Sequence, residues 1–363
     1  MKTPLGTVYS TNISPDRQTG IGGWNEEEFG RALRRGVSKD GHNLYPAMPY
    51  PSYAKVRDDD VAALYAYFMQ SVPAVKQVNR DSDIRFPLNW RWPLKLWNLV
   101  FLDTVPYQSK TDRSVAWNRG AYLAQALGHC GSCHTPRGVA FQEKGLDDSS
   151  RNFLAGAELD GWFASNLRGD HRDGLGRWSE PEIAGFLRIG ANTHASAYGS
   201  MTEVVNNSTQ YLNGADLAAL ATYLKSLTAS DRDVPDYRYD GKVTASQLAN
   251  RSANSGAKVY GQYCVQCHRA DGQGHAPLLA PLAGNPTVLD RHAMSLINVT
   301  LNGTQDLVLG GVPAAYPMPG FYRVLSDQEV ADVVSFIRGG WNNNASTVTA
   351  AEVAKLRKAT AKH

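Results

Sequence analysis

The sequence predicts an all-α fold, made of helical domains in series with the first of them incomplete. Three observations lead there. Apolar residues recur at helical spacing in Asp60–Phe68, Asp216–Leu224 and Glu329–Ile337, each with an acidic residue in its first turn. A Gly/Asp-rich loop recurs as well: Trp24 follows Asn12 by 12 residues, and Trp178 follows Asn166 by 12. Finally, all four cysteines fall in two Cys-x-x-Cys-His strings, Cys130–His134 and Cys264–His268.

The first repeat covers residues 1–80. Its tryptophan precedes the acidic helix start NEEEF, and Met48 follows in the string LYPAMPYPSY. The second repeat, 113–228, opens with Gly120-Ala-Tyr-Leu, continues through the first cysteine string, and carries Met201 in AYGSMTEVV. The third, 251–341, opens with Gly256-Ala-Lys-Val-Tyr260 and carries Met318 in YPMPGF. Its closing helix begins with the capping box Ser326–Glu329. There are thus three C-terminal halves but only two N-terminal halves, because the first repeat lacks a Cys-x-x-Cys-His string.

Residues 81–112 read as a linker. They contain Trp90, Trp92 and Trp97 beside Arg91 and Lys95, and their longest uncharged run is too short to span a bilayer. Two readings stand: the tryptophans pack between domains, or they form an apolar ledge for a partner subunit or a membrane interface. Residues 229–250 read as a second linker. The tail, 342–363, reads as a short helix capped by Thr349 and Glu352 and made basic by Lys355, Arg357, Lys358 and Lys362. A solvated helix face and contact with anionic lipid are its two readings.

Composition excludes several classes. With 42% apolar and 20% charged residues the chain is ordinary globular protein, not a disordered one. A net charge of +3 gives no case for nucleic acid as partner. Cysteines confined to two short strings are unlike a secreted disulfide framework. No run of 18 apolar residues occurs, and residues 1–12 show no signal peptide.

The strings carry the chemistry. Two thiols three positions apart add to the two vinyl groups of one porphyrin, and the next residue, a histidine, falls under the iron. A redox dithiol needs no such histidine, and the gap between the strings far exceeds zinc-ribbon spacing. Cys130 and Cys133, with His134, therefore predict one covalent haem c. Cys264 and Cys267, with His268, predict another. Met201 and Met318 are the candidate sixth ligands, with His194 and His292 as rivals. Met48 is a ligand-like methionine whose haem has no anchor. Haem attachment takes place outside the cytoplasm, so an export signal is expected upstream.

The strings YSTNISPDRQTGIGGW, NLYPAMPYPSY, WNRGAYLAQALGHCGSCHTPRG and YGQYCVQCHRADGQG resemble the three-haem cytochrome c subunit of bacterial membrane-bound periplasmic dehydrogenases. The resemblance covers nearly the whole chain. It implies tandem class I-like cytochrome c domains, with Met48 as sixth ligand of a first haem whose Cys-x-x-Cys-His and signal peptide are missing here. It implies a large catalytic partner holding flavin, pyrroloquinoline quinone or molybdenum. It also implies electron flow to membrane quinone or an oxidase, at the outer face of the inner membrane with peripheral membrane contact. Around the haems, Pro281 is expected to accept from His268 through its carbonyl. Asn166, Trp178 and Arg137 are expected near haem propionates. His/Met ligation leaves no open coordination site, which suits electron transfer rather than catalysis. The alternative is a stand-alone two-haem enzyme such as a peroxidase.

Overall fold

The structure, a computed structural model, describes residues 2–3, 6–231 and 233–361. Helices dominate, and the described strands are two or three residues long. The chain divides into two compact units. One holds residues 1–113 and 122–132, and the other holds residues 114–121 and 133–363.

In the smaller unit the Asn12 loop is closed by its own asparagine, whose Oδ1 accepts from Ser14 N at 2.9 Å. Ile21 N donates to Ser14 O at 2.9 Å, and Trp24 N donates to Ile21 O at 2.9 Å. Helix Glu26–Arg35 follows at once. Asn25 and Glu28 form its capping box, three glutamates fill its first turn and two arginines its last, so both ends suit the helix dipole. Phe29 buries one face of this helix against Tyr65 and Phe68 of helix Asp58–Gln70, at ring separations of 5.7 and 5.9 Å.

The 81–112 stretch contains a helix, Pro93–Phe101, with proline in its first turn. One face is held: Trp97 packs edge-on to Tyr50, and Asn98 bonds Tyr50 Oη at 2.6 Å and Arg35 O at 3.2 Å. The other face is open. Leu99 is 83% exposed, Val100 69% and Trp92 61%. The two sequence readings thus divide, with Trp97 packing and Trp90 and Trp92 remaining on the surface.

The larger unit repeats the loop circuit. Asn166 Oδ1 accepts from Arg168 N at 2.9 Å. Leu175 N donates to Arg168 O at 2.7 Å, and Trp178 N donates to Leu175 O at 3.0 Å. Helix Glu180–Ile189 then starts from the capping box Ser179–Glu182. The equal spacing in sequence therefore corresponds to the same hydrogen bonds at the same offsets.

In this unit helix Val115–Tyr122 crosses helix Gly214–Ser226, and helix Ser255–Tyr263 crosses helix Asp327–Gly339. A glycine lies at each crossing. A Cβ on Gly120 would stand 1.9 Å from Ala219 O, and one on Gly256 would stand 2.3 Å from Asp332 O. The backbones touch because no side chain separates them. Around the second crossing Tyr260, Phe336 and Trp341 pack ring on ring, with Leu301, Val330 and Val333 buried beside them.

The stretch read as a second linker is structured. Ser230 N donates to Asp170, helix Lys242–Ala249 follows, and Thr244 Oγ1 accepts from Trp341 N at 2.7 Å. Helix Ala350–Ala359 docks through Val353 and Leu356. Arg357 bonds Asp327 at 2.7 Å and Leu325 O at 2.8 Å, so it clamps the tail, whereas Lys355 and Lys358 face solvent. Lys362 lies outside the described residues.

Two buried arginines staple loops together. Arg168 donates to Phe153 O and Thr228 O, both at 2.9 Å. Arg338 donates to Asp290 O at 2.8 Å and Val288 O at 3.2 Å. Beside Arg338, the Asp290 carboxyl accepts from His292 N at 2.6 Å. Burial pushes Asp290 up to about 7, against the His292 hydrogen bond and the nearby guanidiniums, with Asp173 adding to the rise.

Two predictions follow from this packing. Gly256→Ala is expected to cost ~1–3 kcal/mol by overpacking, read from denaturant unfolding. Gly185→Ala is the contrast, because its Cβ meets nothing within 4 Å; it should stabilise by ~0.4–1 kcal/mol. Asp290 gives a pH signature. Its folded value of about 7 lies above the ordinary 3.8, so the folded state holds the extra proton and stability falls as pH rises between those values. Asp290→Asn keeps the acceptor and should flatten that fall. Its gain in Tm should be larger at pH 8 than at pH 4, and an equal gain at both would exclude the buried charge as the cause.

Candidate haem-attachment sites

The second string is built at the end of a helix. Helix Ser255–Tyr263 stops at Cys264, and one further turn, Val265–His268, carries the chain on. Cys267 N and His268 N both donate to Cys264 O, at 3.2 and 3.0 Å. Both thiols and the imidazole therefore sit on a single helical turn. Cys264 is buried and Cys267 exposed. Burial pushes the Cys264 thiol up to about 12, which keeps it protonated.

His268 Nδ1 lies 2.9 Å from Ala280 O. A carbonyl only accepts, so Nδ1 carries the proton and Nε2 keeps the lone pair that binds a metal. Burial lowers the His268 pKa against this bond, so the ring is neutral. Here the sequence reading is corrected by one residue. The carbonyl on His268 belongs to Ala280, not Pro281; that of Pro281 accepts from Asn285 Nδ2 at 2.9 Å instead. Neighbouring carbonyls in this loop point different ways, and only the folded loop decides which one meets the ring.

The first string shows the same device. Gly131–His134 forms one helical turn. His134 Nδ1 lies 2.7 Å from Ser165 O, and burial lowers its pKa likewise. Burial raises the Cys133 thiol, with Arg137 pulling the other way. Upstream, the chain leaves helix Val115–Tyr122 through a wider π turn, Leu123–Leu127, and Cys130 N donates to Ala124 O at 3.0 Å.

The candidate methionines are anchored by backbone. Met201 lies within the first turn of helix Ser200–Asn207, rather than in the loop ahead of it, and packs with Ala197, Val205 and Leu307. Met318 and Thr304 exchange two hydrogen bonds, Thr304 N to Met318 O at 3.0 Å and Met318 N to Thr304 Oγ1 at 2.8 Å. In the smaller unit Met48 O accepts from Tyr50 N at 2.7 Å. The rival histidines have other partners. His194 stacks on Trp178 and bonds Glu182 at 3.1 Å. His292 stacks on Phe163 at 4.3 Å and takes Arg291 Nε on its Nε2 at 3.1 Å.

The residues expected near propionates differ among themselves. Asn166 spends its side chain on Arg168 N and on Ser230 Oγ. Arg137 reaches Phe141 O at 3.3 Å and Glu143 at 3.7 Å. The Trp178 indole is buried, and its Nε1 has no hydrogen-bond partner among the described residues. Thr202 Oγ1, beside Met201, is another such group, which sequence reasoning missed because a threonine in a helix gives no signal of its own. A bulky apolar cofactor with acceptor groups at its rim fits this set: a neutral ligating imidazole on each string, paired thiols, and a buried donor without an acceptor. Haem c is such a group.

Comparison with known proteins agrees. The family model for cytochrome c matches residues 253–341. The gluconate 2-dehydrogenase cytochrome c subunit of Pantoea cypripedii is 49% identical over 99% of this chain and 82% of its own. The alcohol dehydrogenase (quinone) cytochrome c subunit of Gluconobacter oxydans is 46% identical over 98% of this chain and 76% of its own. The fructose dehydrogenase cytochrome subunit of Gluconobacter japonicus is 35% identical over 98% and 76%. Locked imidazoles, paired cysteines and these relatives lead to one conclusion: the chain belongs to the family of dehydrogenase cytochrome c subunits, electron-transfer proteins carrying covalent haem c and not themselves the catalysts.

Proposed function

We propose that this chain binds two haems c and passes electrons from a separate catalytic dehydrogenase subunit towards membrane quinone or an oxidase. The observation that carries the proposal is the pair of histidines, one per string, each with Nδ1 fixed on a backbone carbonyl. Cys130 and Cys133 hold one haem, with His134 and Met201 on its iron. Cys264 and Cys267 hold the other, with His268 and Met318. When bound, each haem supplies a one-electron carrier. The chain's own residues set its properties: the carbonyl-bound imidazole stays neutral and oriented, the thioether completes the coordination, and burial limits water.

The two haem-bearing repeats, 113–228 and 251–341, are proposed as tandem class I-like cytochrome c domains. The glycine crossings at Gly120 and Gly256 support this reading. Trp178 is proposed to donate its indole N–H to a propionate. Met48 matches the sixth ligand of a further haem, for which this sequence supplies no cysteines. Relatives named as gluconate, alcohol and fructose dehydrogenase subunits support a catalytic dehydrogenase partner, which is proposed to bear flavin, pyrroloquinoline quinone or molybdenum. They give nothing to the peroxidase alternative. The place of work is the periplasm, at the outer face of the bacterial inner membrane.

No helix among the described residues is long and apolar enough to cross a membrane. The open face of helix Pro93–Phe101 is proposed as the membrane contact. It presents Leu96, Leu99 and Val100 to solvent, with the exposed Trp90 and Trp92 just ahead of its first turn. Residues 84–102 carry Arg85, Arg91 and Lys95 and no acid, a charge suited to anionic headgroups.

Two measurements test these proposals. Intact mass of the chain, exported alongside haem-attachment machinery, should show two covalent haems, and fewer than two would overturn the assignment. Co-sedimentation with phosphatidylglycerol-containing vesicles should weaken with salt. It should fall by ~10-fold or more in a Trp92→Ser, Leu99→Ser double variant. Unchanged sedimentation would move the membrane contact elsewhere.

A further inference from the structure

In the larger unit the segment 304–318 touches both candidate methionines. Its ends meet: Thr304 and Met318 exchange two hydrogen bonds, just past the helix Met294–Asn302. Gly303, at φ +73°, makes the turn into it, and a Cβ there would stand 2.4 Å from Met318 O. Its middle is a small hairpin, Val308–Leu309 paired with Val312–Pro313. That hairpin reaches the helix Ser200–Asn207, which carries Met201 in its first turn.

The contact is both apolar and polar. Leu307, 3% exposed, packs with Ala197 and Val205, and Met201, Phe186, Leu309 and Ala314 close around them. A Cβ on Gly190 would lie 2.5 Å from Leu307 Cδ2, so a glycine there gives the leucine its room. Two side chains of the Met201 region then grip the hairpin backbone. Asn206 donates to Asp306 O and accepts from Val308 N, both at 2.9 Å. Gln210 donates to Val308 O and accepts from Gly310 N, both at 2.9 Å. These are amide-to-backbone bonds in pairs, which fix register as a strand ladder does. The segment that fixes Met318 is thus held in register against Met201.

From this we infer that the hairpin is a shared positioning element, through which Leu307, Asn206 and Gln210 set the iron–methionine bonds of both haems together. The inference rests on Met201 and Met318 being the sixth ligands. Leu307 keeps water from the Met201 side, and a drier thioether site favours the reduced, less charged iron. Asn206 and Gln210 fix the strand whose other end positions Met318. Neither haem's potential can then be tuned by changes on its own side alone.

The test reads each methionine separately. In the reduced holoprotein each ligating methionine gives its own ring-current-shifted methyl proton signal. Met201→Ala and Met318→Ala should each remove one signal; if either leaves both in place, the ligand reading itself fails. With the signals assigned, Leu307→Ala should shift the Met201 methyl and lower the midpoint potential of that haem, and Leu307→Ile should restore most of the shift. Asn206→Ala should shift both methyl signals and both midpoints. Gln210→Ala releases two bonds to the hairpin backbone, as Asn206→Ala does, and serves if the first variant loads haem poorly. If both amide variants load two haems and move only the Met201 signal, or neither, the shared element is overturned while the ligand reading stands.

Discussion

The two proposed haem sites depend on two backbone carbonyls. Ser165 O and Ala280 O each hold the Nδ1 of a buried histidine. An imidazole without that bond could turn its ring, exchange tautomers or protonate, and each of these would take the lone pair off the iron axis. Much nearby structure keeps those carbonyls in place. Ser165 lies between the strand Trp162–Ala164 and the Asn166 turn, and Arg168 ties that turn to Phe153 O and Thr228 O. Gly156 N closes on His134 O at 2.8 Å from the other side. At the second site Gly274 N bonds His268 O, and Leu282 N and Ala283 N both return to Gly272 O. The loops look irregular, but these hydrogen bonds fix the backbone on either side of each ring.

The buried arginines fit the same logic. A guanidinium has five donors in one plane and no acceptor, so buried among carbonyls it can satisfy several strands of loop at once. Arg168 and Arg338 each do this within the larger unit's loops. Burial depresses both pKa values, but the guanidinium's ordinary value is so high that both remain charged. Removing either would leave several buried carbonyls without partners, a larger loss than any single hydrogen bond suggests.

Local chemistry was legible in the sequence; long-range chemistry was not. The cysteine strings, the capping boxes at Ser326 and Thr349, and the Asn–Trp loops were all readable, because each is decided within about a dozen residues. The structure repeats the same closing bonds in the loops at Asn12 and Asn166. The carbonyl partner of His268 was missed by one residue, since neighbouring carbonyls differ in direction and sequence carries no sign of it. Arg168 and Arg338 were not singled out, because their partners lie far away in sequence. The segments read as linkers hold helices for the same reason: Asn98 and Thr244 find their partners only across the fold. Polar composition alone does not separate a linker from a docked helix.

Trp178 is the residue proposed to join the fold to the cofactor. Its indole is packed between Phe186 and His194, and the stack is fixed in turn by the bond from His194 to Glu182. A buried N–H without an acceptor costs ~1–3 kcal/mol. The protein keeps that cost in a loop whose turns are closed by the amides of Arg168, Leu175, Gly176 and Trp178. The sequence repeats the tryptophan at the same distance from its asparagine in the first unit, so the position belongs to the motif and not to one accident of packing. A donor held rigid, buried and unmatched is one that an acceptor on a bound group can satisfy without further ordering. A haem that supplied that acceptor would recover the cost of folding the loop, and folding and cofactor binding would strengthen each other.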